Sequence, residues 1–220
     1  MPITTYANLQ SEILDTLNRT DLVADVTEFT PGSIDGAVKR AIAKAEKRIV
    51  RRLKTRHFET STSFSTVAST ETITIPADYA MTKAIVMTTS PQVVLIQKDL
   101  TTLINDHPST ATGAPLSNTL FGTVARLRPI PDSARALTWH YYSQPTALSD
   151  SNTSNTILSN FPDLLLYASL LEITAHIEDD NRIQIWKGFF DEAVKDIIDD
   201  STLNRWSGAP IRSSIDVVII

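Results

Sequence analysis

Apolar positions along this 220-residue chain change their rhythm twice. Tyr6, Leu9, Ile13, Leu14 and Leu17 recur every three or four residues, the period of an amphipathic helix. Thr4 or Thr5 can cap its start, and Asn18 can end it in the left-handed conformation. Thr20-Asp21 opens a short second helix through about Phe29, and Pro31-Gly32 breaks the chain. Ser33 then caps a long helix over about 34–56, with Ile34, Val38, Ile42, Ala45, Ile49 and Leu53 on one face. At 1.5 Å per residue that helix is about 35 Å long.

From about residue 60 the grammar turns to Ser, Thr and β-branched residues. Thr72-Ile73-Thr74-Ile75 alternates as a half-buried strand does, and Pro76 stops it. Lys83–Thr89, Val93–Gln97, Val124–Arg128 and Ala136–Tyr142 read as further strands, and 98–106 as a short helix capped near Asp99. Ser109–Ser117 reads as a loop, and Pro129-Ile130-Pro131-Asp132 as a turn between the last two strands. Helices return near Asn160 with Pro162 in a first turn. Leu164, Tyr167, Ala168, Leu171 and Ala175 make one stripe; Ile183, Trp186, Phe190, Ala193 and Ile197 make a second.

This order predicts an α+β protein. Its N- and C-terminal helices pack as a bundle containing one long basic helix, an antiparallel β region is inserted between them, and an extended tail follows. The expected divisions are 1–59 and 149–207 for the bundle, 60–148 for the β region and 208–220 for the tail. That tail closes on Val217-Val218-Ile219-Ile220, four β-branched apolar residues that would invite aggregation if left bare. They are expected to add a strand to this chain's own β lobe or to pair on a neighbouring subunit or partner.

Composition narrows the function classes. The chain has no cysteine, which excludes disulfide scaffolds, thiolate zinc sites, iron–sulfur clusters and a Cys nucleophile. The first residues lack signal-peptide character, and no apolar run approaches the ~20 residues of a membrane span, so a soluble chain is expected. The net charge of −5 conceals an asymmetry. Lys39 to Arg56 holds nine of the 20 basic residues and one acid, Glu46, a net of +8; the remainder therefore carries −13. Many acids fall near the C-terminus, from Glu178 to Asp180 and from Asp191 to Asp200. The two charged helices are solvated faces, or match each other within or between subunits, or the basic one binds phosphate.

Chemistry is sparse. Six glycines supply neither a phosphate loop nor a nucleophile elbow. His57, His107, His140 and His176 are widely spaced; Glu172 and His176 share a helix face but lack further ligands. Adjacent acids such as Asp199-Asp200 diverge by ~100° on a helix and form no dyad. Neither a catalytic residue, a metal ligand nor a cofactor is expected.

Several phrases together resemble the head-to-tail adaptor (connector) proteins of tailed bacteriophages, the podovirus tail-tubular-protein-A-like group. They begin with Leu17-Asn18-Arg19-Thr20-Asp21-Leu22 and Ala45-Glu46-x-x-Ile49-x-Arg51-x-Leu53-x-x-Arg56-x-x-Glu59. Ile75-Pro76-x-Asp78-Tyr79, Leu127-x-Pro129-x-Pro131, Tyr141-Tyr142-x-x-Pro145-x-x-Leu148 and Asn155-x-x-Leu158 follow in order. Phe161-Pro162-Asp163-x-x-Leu166-Tyr167-Ala168 ends the series. The resemblance implies a non-catalytic virion protein of the neck, assembled in the host bacterial cytoplasm. It implies a ring, commonly of twelve copies, bound to the portal and to the tail nozzle, with double-stranded DNA passing through unheld. Arg48, Arg51, Arg52 and Arg56, and the tail residues Val217, Val218, Ile219 and Ile220, are then the expected subunit or portal interface. The alternatives are a nucleic-acid-binding protein using the helix 39–56, a head-completion protein of a long-tailed phage, and a cell-wall hydrolase with Glu172 as acid.

Overall fold

The computed structural model describes residues 2–18, 35–108, 110–173 and 182–206. Helix α1 (Tyr6–Leu17) starts at Thr5, whose hydroxyl accepts the Asn8 backbone N–H at 3.2 Å, and ends at Asn18 in the left-handed region (φ 54°). Helix α2 (Asp35–Arg52) buries Val38, Ala41, Ile42, Ala45 and Ile49 on one side. It stops four residues short of the expected end, and a single 3-10 turn, Arg56–Phe58, leads into the first strand.

Nine strands follow among the described residues: β1 (Glu59–Ser65), β2 (Thr72–Thr74), β3 (Tyr79–Met87), β4 (Val93–Gln97), β5 (Thr112–Gly113), β6 (Ser117–Phe121), β7 (Val124–Arg128), β8 (Ile130–Pro131) and β9 (Ala136–Ser143). Helix α3 (Leu100–Asp106) lies between β4 and β5, capped by Asp99. The chain closes with α4 (Thr156–Asn160), α5 (Pro162–Ile173) and α6 (Ile183–Trp206).

Seven strands form one curled, half-barrel sheet in the order β1-β9-β3-β4-β6-β7-β2, and β5 pairs with β8 in a separate ribbon. Strand β4 makes the bend. Its first residues pair antiparallel with β3, and Ile96 and Gln97 then pair parallel with Ser117 and Asn118 of β6. Register shifts between β3 and β9 add curvature at Tyr79–Ala84. The concave face holds its own core, with Ile85, Leu95, Leu127, Leu137 and Trp139 essentially without solvent contact.

The α+β class holds, but the expected arrangement does not. The β region is not a minor antiparallel insertion in a helical bundle; it is a seven-stranded mixed sheet with a separate apolar core, accompanied by six helices among the described residues. The physical reason is that β1 and β6 are built mainly of Ser, Thr and Asn, so they lack the apolar alternation that marks a strand, yet their backbones complete the sheet. The Pro129–Asp132 turn likewise contains β8.

The helices share a second core. Helix α5 contacts α1, α2 and α6, and its buried positions run almost round it (Leu164, Leu165, Ala168, Ser169, Leu170, Ile173). From the sheet side only Phe58, Tyr142 and Leu148 reach this cluster among its fully buried members. The helix expected over 20–29, the Ser33 cap, His176 and the tail 208–220 lie outside the described residues.

Candidate functional site

Most of the residues of interest stand on α2, with Arg56 in the 3-10 turn beyond it, and the composition of α2 makes it two-sided. Its apolar stripe is held against α5, so the basic residues between those positions are forced to the flanks and the outer side. On the flank toward α5 and α6 they meet carboxylates. Arg48 Nη2 lies 2.7 Å from Glu172 Oε1, Arg52 Nη1 donates to Asp191 Oδ1 at 2.7 Å, and Arg56 Nη2 is 3.9 Å from Asp200 Oδ2. On the opposite flank Lys39 Nζ donates to both oxygens of Asp150 at 3.1 and 2.9 Å. The basic and acidic helices thus face each other within one subunit.

Four cations and three apolar side chains border one open groove of about 490 Å³ between α2, α5 and α6. Arg48, Arg51, Arg52 and Lys187 line it with Leu171, Ile183, Phe190 and a single acid, Asp191. The Arg52 guanidinium stacks over the Phe190 ring, 5.3 Å from its centroid, a contact that fixes the fork without spending its donors. Arg51 differs from its neighbours. Its Nε donates to the Lys47 carbonyl at 3.1 Å, and no carboxylate among the described residues lies within ion-pair distance of its guanidinium. The groove is therefore weakly cationic, shallow and open; it suits a carboxylate-bearing surface better than a small enclosed ligand.

Three of the four arginines expected at an interface, Arg48, Arg52 and Arg56, are brought together with acids of the same chain, and Arg51 alone is left facing outward. Val217, Val218, Ile219 and Ile220 lie outside the described residues. Glu172, weighed as a catalytic acid, is taken up by Arg48. Among the described residues no group of three or more His, Asp or Glu could hold a metal ion, and no helix is long and apolar enough to cross a membrane.

One polar feature escaped sequence reasoning. Glu46, the single acid of the basic stretch, does not point to solvent with its neighbours; it is 6% exposed. Its carboxylate accepts the Asn155 side-chain amide at 2.6 Å and the Leu148 backbone N–H at 3.2 and 3.3 Å, clasping α2 to the segment that leads into α4. Burial pushes its pKa above the ordinary 4.5, against the lowering effect of those two donors. Nearby Tyr6 is pushed up to about 12, first by burial and then by the negative charges of Asp150 and Glu46. The only sequence signal was a lone acid at a position in phase with the apolar stripe.

No curated protein matches the chain at a significant level. A family model described as SU10 adaptor protein matches residues 4–214, nearly the whole sequence. The chain thus belongs to the SU10 adaptor protein family, the structural head-to-tail adaptors of phage virions.

Proposed function

We propose that this adaptor works as a ring of copies, commonly twelve in the tail-tubular-protein-A-like group it resembles, seated between the portal and the tail nozzle. Double-stranded DNA passes through it without being held. The observation that carries this reading is the arrangement of charge on a chain whose length is matched almost throughout by the adaptor family. Lys39, Arg48 and Arg52 of α2, and Arg56 beyond it, are paired with acids of the same subunit, and the whole chain carries a net charge of −5. A subunit of that net sign repels phosphates overall, which suits a conduit.

Arg51, with Arg48, Arg52 and Arg56 beside it, is the proposed contact for an acidic surface of the portal or the next subunit. The three paired arginines remain 38%, 49% and 55% exposed, so each keeps donors for a second acceptor. Val217 to Ile220 supply a second proposed contact, as a strand added to a partner.

The test is negative-stain microscopy of the purified chain mixed with its portal. A ring stacked coaxially on the portal is expected. Absence of any portal-bound density at micromolar concentration would remove the proposal. Salt-sensitive DNA binding by the isolated chain would favour the nucleic-acid reading instead.

A further inference from the structure

The charges of α2 and α6 separate by direction. Lys44, Lys47 and Arg51, spaced three and four residues apart, form a stripe on the outer face of α2 and are all exposed. On α6, Glu192, Asp196 and Asp199 are spaced four and three apart, all exposed, on the side opposite the buried Trp186, Phe190 and Val194. Among the described residues none of these six side chains has an ion-pair partner. Arg48, Arg52 and Arg56 are meanwhile paired with Glu172, Asp191 and Asp200.

The two leftover stripes match. Read in opposite directions, 44-47-51 and 199-196-192 have the same spacing, and each covers about 10.5 Å of helix. Both helices pack on α5 with these faces turned away from it, so one subunit cannot bring its own stripes together. We infer that the basic stripe Lys44-Lys47-Arg51 of one copy docks antiparallel on the acidic stripe Glu192-Asp196-Asp199 of the next.

The occupant is a second copy of this chain, and the argument is charge complementarity in register. An apolar element supports it. Phe189, whose ring packs on Tyr167 of its own chain at 5.2 Å between centroids, is still 45% exposed one turn before Glu192, and a shallow groove bordered by Val50 and Gln144 lies beside Lys47 and Arg51. Extending this register by three residues sets Phe189 opposite Lys54 of the neighbouring copy, just past Arg51. Such a contact joins two different faces, so it is heterologous and propagates until rotation closes the ring. The inference rests on the ring reading above and gives it a named interface.

The absence of cysteine makes a clean test possible. The full-length variant carrying Lys47→Cys with Asp196→Cys is treated with a short bismaleimide, both free in low salt and seated on the portal. A bismaleimide is used because a bridged Lys–Asp pair stands farther apart than the ~7 Å a disulfide tolerates. A ladder of covalent multimers beyond the dimer is expected, and at most dimers from either single variant. A second arm reverses charge at Lys44, Lys47 and Arg51, or at Glu192, Asp196 and Asp199. Each reversal should weaken self-association at least tenfold, and both together should restore it.

Wild-type rings on the portal without a ladder would overturn the interface and leave the adaptor reading standing. A ladder from free protein with no portal-bound ring would do the opposite. Neither ladder nor ring would remove both.

Discussion

Glu46 shows how one side chain can matter more than its charge. Its carboxylate holds two donors from a segment about a hundred residues away, so Glu46→Ala leaves the Asn155 amide and the Leu148 N–H without their acceptor and costs about 1–3 kcal/mol. The pH dependence has a definite sign. Because burial raises the folded-state pKa above 4.5, the folded form binds the proton more tightly than the unfolded form. The stability associated with the protonated group is fully present below pH 4.5 and is lost as pH rises through the folded value. Glu46→Gln, which mimics the neutral acid, should lack this slope. Urea unfolding between pH 4 and 7 should therefore show the Gln variant gaining on the wild type as pH rises, and parallel curves would refute the assignment. By contrast, the Arg52–Asp191 pair is half exposed on both sides, so it orients α6 on α2 and adds little stability of its own. The basic cluster was legible from composition alone, whereas its division into paired and outward-facing members was not. Which guanidinium finds a carboxylate depends on where α5 and α6 come to rest, and that is set by packing across more than a hundred residues.

At the level of elements, legibility followed periodicity. Helix α1 matched its sequence signals down to both caps, Thr5 and Asn18, and β7 and β4 fall on the expected residues. The stripes that named α5 and α6 did find the core, through Leu164, Ala168, Trp186 and Phe190. Where periodicity fails, so did the reading. Strand β1 offers only Phe64, which packs on Trp139 at 6.0 Å between ring centroids, and β6 buries Ser117, Asn118 and Thr119. Backbone pairing, which carries no sequence signature, holds those strands in place. Helix α5 makes the complementary point: its buried positions extend beyond the expected stripe to Leu165, Ser169, Leu170 and Ile173 because it has several partners. It is the element whose truncation should hurt most. Leu165→Ala, at a position with no solvent exposure, is expected to cost 2–5 kcal/mol in urea or thermal unfolding. A loss below about 1 kcal/mol would mean that α5 is not the centre of the helical core.

For the molecule as a whole, the fold and its assembly contacts are expected to be separable. The apolar clusters, with everything packed against them, extend no further along the described chain than Ile197. Deleting 211–220 should therefore leave the unfolding midpoint of the subunit within about 0.5 kcal/mol of the full chain while weakening its hold on the portal. A truncated subunit that no longer folds would instead assign the tail to the chain's own sheet. The placement of α5 has one more consequence, which concerns manufacture. Helix α2 ends at Arg52, and its apolar face is covered by a helix that begins at Pro162. Bacterial-type synthesis at about 5–20 residues per second leaves that face bare for on the order of ten seconds while the whole sheet is being made. Throughout that interval the outer side of α2 presents Lys44, Lys47 and Arg51, and like charges on chains emerging from neighbouring ribosomes repel.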